Sequence, residues 1–139
     1  MKLKLLALVI AISLSLLALA HADFTKTVAM AGHQEDEVTT RTIAYTILNR
    51  AKALKVTPKQ VCDELSVFPC YGDEVCEQAW TDRYYHASVY DKASKAIAQA
   101  KTMKPNKVTK FHHKSVFPMW AEGRKRKQVG GYYFYEGVL

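Results

Sequence analysis

The chain has 139 residues, 49% of them hydrophobic and 24% charged, with a formal charge of +7. That apolar fraction excludes a natively disordered tail, and the length allows one domain of ordinary size. The excess of Lys and Arg points to anionic partners, either an envelope surface or a nucleic acid.

Residues 1–22 place Lys2 and Lys4 ahead of an apolar run from Leu5 to Ala20 and close on Ala20-His21-Ala22. This basic, apolar, small-residue order is that of a cleavable secretory signal, with cleavage expected before Asp23. The alternative is a retained anchor, since an apolar run nearing ~18 residues can just span a bilayer. The mature chain, 23–139, is then one domain, exported to the periplasm or the extracellular wall. Export favours an anionic wall or envelope surface as partner over nucleic acid, and a monomer is expected. Cys62, Cys70 and Cys76 lie in this exported part, where one disulfide can staple the 62–76 loop and leave one thiol; which two pair is not readable. Their spacings contain no Cys-x-x-Cys pair, so a structural zinc site is not expected. His112 and His113, adjacent on a strand, point to opposite faces, so metal catalysis is not expected either, and no cofactor is.

Asp23 can cap a first helix reaching Gly32, with Phe24, Val28 and Ala31 on one stripe. After a polar break at 33–37, Ile43, Ala44, Ile47, Leu48 and Ala51 predict a core helix over 38–54. Thr57-Pro58 starts a third helix, to about Ser66. The stretch 67–85 holds Pro69, Gly72 and two cysteines without sustained period and reads as a long loop. Tyr90, Ala93, Ile97 and Ala100 then predict a helix over 88–103, stopped at Lys104-Pro105-Asn106. Val108–His112 and Tyr132–Tyr135 are rich in β-formers and are expected to pair across the loop that carries the basic run Arg124–Lys127. The fold class is α+β, mainly α, with a small C-terminal antiparallel sheet.

Four segments occur in one order: Ile47-Leu48-Asn49-Arg50 closing an amphipathic helix, Val61-Cys62-Asp63, Thr109-x-Phe111-His112 with Val116-x-Pro118-x-Trp120, and Gly131-Tyr132-Tyr133-Phe134-Tyr135. Together they resemble the SleB/CwlJ-type cell-wall hydrolases, also found as phage lysis proteins, over nearly all of residues 28–135. The resemblance implies a lysozyme-like, mostly helical fold and cleavage of the peptidoglycan glycan strand by a muramidase or lytic transglycosylase. Such chemistry needs one carboxylic acid kept protonated near neutral pH by partial burial. That acid protonates the departing oxygen and then, in a transglycosylase, accepts the proton of the sugar's own 6-hydroxyl.

The family carries this acid in a Glu-x-Arg-Gly-Glu segment at a fixed distance before Leu-Asn-Arg. Counting back from Asn49 sets Ala31-Gly32-His33-Gln34-Glu35 over it, so the first glutamate falls on Ala31 and the second on Glu35. Either Glu35 does the acid work, with Glu37 as substitute, or the domain has lost cleavage and retains wall binding or regulation. A plainer reading makes Glu35 a first-turn carboxylate complementing a helix dipole.

The resemblance places His112 in a supporting catalytic role; its bland alternative is a half-buried strand residue. His113 and His86 have no motif support and read as surface. Trp80, Trp120 and Tyr133 are the candidates for stacking on sugar rings, although Trp120 sits in a motif that suits packing. Tyr133 and Tyr135 alternate with Tyr132 and Phe134, so one pair faces the core and the other is left for substrate. Asn49 reads as structural support for the cleft. The run Arg124–Lys127 is a solvated loop or an attractor of anionic wall polymer whose effect salt would weaken.

Overall fold

A computed structural model describes residues 24–65, 74–84 and 87–139. Residues 1–22, read from the sequence as a secretory signal, and Cys70 lie outside the described residues, as do His86 and the side chain of Cys76, so the signal and disulfide expectations fall there too. The described residues form a mainly helical α+β domain with a three-stranded antiparallel sheet.

Helix α1 covers 24–32, and α2 (Glu37–Leu54) is the element on which the rest is assembled. Asp36 caps α2 by accepting from the Thr39 N–H at 2.8 Å. At the other end Lys55 takes a left-handed conformation (φ 56°) and its N–H closes on the Ala51 and Lys52 carbonyls. Ile43, Ala44, Ile47 and Ala51 bury one stripe of α2. Against α2 pack α3 (Pro58–Leu65), α5 (Ala87–Thr102) and strand β1 (Val108–His113). Thr57 and Gln60 cap α3 reciprocally: the Gln60 N–H donates to the Thr57 hydroxyl at 3.2 Å, and the Thr57 N–H donates to the Gln60 side-chain oxygen at 2.9 Å. On α5 three of the four buried residues, Ala93, Ala96 and Ala100, are small, which lets it lie close along α2, with Ile97 as the one large side chain among them.

One expectation is overturned in this part of the chain. Residues Glu74–Tyr84, read as loop, form helix α4, so Trp80 stands on a helix. The segment Glu-Val-Cys-Glu-Gln-Ala-Trp-Thr-Asp-Arg-Tyr has no continuous apolar stripe, which is why periodicity misses it.

Strands β1, β2 (Lys127–Val129) and β3 (Tyr132–Glu136) lie in the order β1-β3-β2. Phe111 pairs with Phe134, His112 with Tyr133 and His113 with Tyr132. Strand β2 emerges from the end of the basic run, which the sequence reading leaves as loop; it is made by pairing with β3. The β2–β3 turn is Gly130-Gly131, with Gly130 at φ +56°, a left-handed value that hairpin turns of this length demand. Alternation along β3 sends Tyr132 and Phe134 to the helix side, where both join the main core with Phe111. Tyr135 and Tyr133 face the other way and pack with Trp120, Ala121 and Val138 under the 114–126 connection.

A buried cation ties the two halves together. Arg50, 2% exposed, donates to both carboxylate oxygens of Glu64 and to the carbonyls of Val138 (2.6 Å) and Thr109 (3.5 Å). Glu64 is held below the ordinary glutamate value of 4.5, first by its hydrogen bond from Arg50. A carboxylate depressed on folding adds stability above its unfolded pKa and loses it as pH falls through the folded one. The difference in Tm between the wild type and Glu64→Gln is therefore expected to be largest near neutral pH, to begin closing as the pH falls through the ordinary glutamate value of 4.5, and to be gone once the pH is below the depressed folded value. A difference that stays constant down to that pH would mean that the charge pair is not what Glu64 contributes.

Candidate active site

Glu35 sits in the turn between α1 and α2, and three bonds fix where that turn stands. Its N–H reaches the Gly32 carbonyl at 3.0 Å, its own carbonyl accepts from Lys92 Nζ of α5 at 2.6 Å, and Asp36 next to it is locked as the α2 cap. The side chain crosses to the β2–β3 turn, where Oε2 accepts from the Gly131 N–H at 3.2 Å. Both glycines are needed for that approach. A Cβ on Gly130 would come within 2.4 Å of Thr39 Oγ1 and 2.5 Å of Glu35 Oε2, and one on Gly131 within 2.4 Å of Glu35 Oε1.

Two further polar groups converge on the same point. His113 Nε2 stands 3.1 Å from where a Gly131 Cβ would be, so imidazole and carboxylate flank one small space above the turn. The Ser115 N–H donates to His113 Nδ1 at 3.2 Å; in the neutral ring the proton is therefore on Nε2, on the Glu35 side. Thr39 supplies the second group. Its hydroxyl is the only buried side-chain polar atom among the described residues without a hydrogen-bond partner, and it lies beside Gly130 and Glu35. A buried hydroxyl left open in this way asks for a water or a ligand hydroxyl. Behind the carboxylate, the Tyr132 phenol donates to the Ala31 carbonyl at 2.9 Å. Burial first, then the Glu35 charge, pushes the Tyr132 phenol above its usual range, so it remains a donor.

The other expected site residues scatter. Ala31 is buried in the main core, 5% exposed, so the position matching the family's first glutamate carries a packed methyl group. Glu37 is exposed on the first turn of α2 and lines a shallow depression with Asp91, Lys92 and Lys95. Glu35 and His112 are not brought together: strand alternation turns His112 to the far face of the sheet, and it is His113 that faces Glu35. His112 is fully employed there. Its Nδ1 donates to the His113 carbonyl at 2.8 Å, and its Nε2 accepts from the Tyr135 hydroxyl at 2.8 Å.

Trp120 and Tyr133 surround that imidazole, at ring separations of 5.7 and 5.6 Å. Each carries a cation on its face, Lys110 Nζ at 4.5 Å from Trp120 and the Arg126 guanidinium at 3.9 Å from Tyr133. Neither ring is open beside Glu35. Trp80, on α4, packs edge-on to His33 at 5.8 Å and so flanks the turn that carries Glu35. Asn49 donates to the Asn106 side chain (2.8 Å) and the Val108 carbonyl (3.1 Å), pinning α2 to the start of β1. Cys62 is fully buried in α3. Among the described residues no group of three His, Cys, Asp or Glu side chains is placed to hold a metal ion.

The sequence reading takes His113 for surface, which the structure corrects by setting it beside Glu35, and it passes over Thr39 and the Gly-Gly turn. A signal for the first was present: if Phe111 faces the core, His113, two residues on, shares its face. Beside the site runs a groove of about 720 Å³ with Val38, Val129 and Phe134 on one side and the run Arg124–Lys127 on the other. Val38 directly precedes Thr39, and Val129 directly precedes Gly130, so the groove lining adjoins along the chain the two residues that stand beside Glu35, while the site side chains themselves do not line it. Comparisons of the chain with protein-family models, with curated proteins and with solved structures return no match.

Proposed function

We propose that this protein cleaves the glycan strand of peptidoglycan, with Glu35 as the acid and then the base, on a lysozyme-like arrangement of helices and a small sheet. The observation that carries the reading is the convergence at the Gly130-Gly131 turn of the Glu35 carboxylate, the Nε2 side of His113 and the buried Thr39 hydroxyl. Protonated Glu35 gives its proton to the bridging oxygen as the bond from that oxygen to the muramic acid C1 breaks. The sugar's own O6 closes on C1, and Glu35, now a carboxylate, takes the O6 proton. One product ends in an anhydro ring, the other in a free 4-hydroxyl.

The neighbouring carboxylates are otherwise employed, Asp36 as a helix cap and Glu37 on the exposed first turn of α2. Hydrolytic glycosidases use two carboxyl groups across the bond, so a single one favours the transglycosylase route. His113 is suited to donate from Nε2 to a sugar oxygen seated above Gly131, and Thr39 to bond a hydroxyl of the same sugar or a water that holds it.

The test is release of soluble muropeptides from purified peptidoglycan by the 23–139 chain, beside Glu35→Gln, with mass spectrometry of the products. Anhydro ends support the transglycosylase route and reducing ends a muramidase. Absence of release with wall pull-down intact would replace this reading by a silent wall-binding domain, the outcome that the buried Ala31 favours. Gly131→Ala adds a second check. Its methyl group would displace the flexible end of Glu35, so release is expected to fall about 100-fold, as for a 1 Å misplacement of a reacting group. Stability should change by less than about 1 kcal/mol, because a side-chain tip gives way more readily than backbone.

A further inference from the structure

The groove beside Glu35 has a chemistry that sugars do not explain. Its floor is apolar, from Val38, Val129 and Phe134, while its wall is the run Arg124-Lys125-Arg126-Lys127; the single lining carboxylate is Glu136. N-acetylated glycan backbone is uncharged, and in peptidoglycan the negative charge resides in the carboxylates of the peptide stems. Two of the four cations are already engaged: Arg126 is laid over Tyr133 at 3.9 Å, on the sheet face away from Phe134, and Arg124 Nε donates to the Trp120 carbonyl at 2.7 Å, which leaves Lys125 and Lys127 as the charges open to a ligand. Among the described residues neither Lys125 nor Lys127 has an ion-pair partner. At about 720 Å³ the groove falls within the 300–1,000 Å³ range of pockets that enclose a ligand the size of a short peptide.

We propose that this groove binds the carboxylate-bearing peptide stem adjacent to the glycosidic bond at Glu35. The assignment rests on the glycan-cleavage reading for its choice of anion, and it adds what that reading lacks, a reason for the enzyme to prefer peptide-bearing strands. The stem's carboxylates meet the 124–127 wall, and its alanine methyl groups meet the valine floor.

The test is titration of the ¹⁵N-labelled 23–139 chain with a soluble L-Ala-γ-D-Glu-diaminopimelate-D-Ala tetrapeptide, followed by amide NMR, on wild type and on Lys125→Glu/Lys127→Glu. Both lysines are exposed, and the variant's spectrum reports directly whether it is folded. Saturable shifts at Val38, Val129 and Phe134 are expected, with binding about tenfold weaker in the variant and weakened further by salt. Absence of saturable binding, shifts confined to other surfaces, or equal affinity in the variant would overturn the assignment. So would groove shifts produced by phosphatidylglycerol vesicles or a single-stranded oligonucleotide but not by the peptide. Wild-type digestion of amidase-stripped strands separates the two readings. Peptide binding without cleavage of any strand leaves the groove assigned and the glycan-cleavage reading refuted, whereas cleavage without peptide binding does the reverse.

Discussion

Arg50→Ala is expected to cost about 2–5 kcal/mol of folding stability, the range for truncating a large, fully buried side chain. The guanidinium is 2% exposed and fastens three separate parts of the chain: Glu64 on α3, the Thr109 carbonyl on β1 and the Val138 carbonyl after β3. Truncation leaves a cavity among residues that cannot collapse freely and takes a donor from each carbonyl. Val138 is not orphaned outright, since the Thr109 hydroxyl also donates to its carbonyl at 2.9 Å and accepts from its N–H at 3.1 Å. Glu64 is about half exposed and returns to water when its partner goes. The cost is therefore concentrated on the β1 and C-terminal side of the arginine. Arg50→Lys should recover only part of the loss, because an ammonium cannot span a carboxylate fork and two carbonyls at once. Urea denaturation of the two variants decides the matter, and a loss under about 1 kcal/mol for the alanine variant would show that the pair is dispensable.

Glu35→Gln is expected to lower muropeptide release by roughly 10²–10⁴-fold, the usual contribution of a positioned acid–base group, while leaving Tm unchanged. The two amino acids match in shape. Glutamine keeps an oxygen to accept the Gly131 N–H, so the turn stays docked and only the transferable proton is lost. An equal loss of stability and activity would point to a structural role for Glu35, with the chemistry elsewhere or absent.

The parts of this fold that could be read from sequence are those whose own residues carry the instruction. Helix α2 has an apolar stripe and a capping aspartate, α3 has Thr57-Pro58, α5 a small-residue stripe, and β1 and β3 runs of β-formers. Helix α4 has no stripe, and β2 is three residues long with lysine and glutamine as two of them. The same division runs through the site. Glu35 stands out because counting back from Asn49 sets it on the second glutamate of the pattern that the chain resembles, at the entry to α2. His113 does not, since choosing it over His112 requires knowing which face of β1 meets α2, and that is settled by the pairing of Phe111 with Phe134. Trp120 and Tyr133 carry the composition of a sugar platform, yet the pleat commits both to a second small core.

The bond between Glu35 and Gly131 joins residues 96 positions apart, one before α2 and the other in the last hairpin. Contacts so distant in sequence are among the slowest to form, because the loop they close must be ordered first. As the chain is synthesised, the carboxylate has no fixed address until the final strand has been added and docked. A chain clipped before β3 lacks the Gly131 N–H that fixes the Glu35 carboxylate, so under the proposed role only the completed polypeptide is expected to be active.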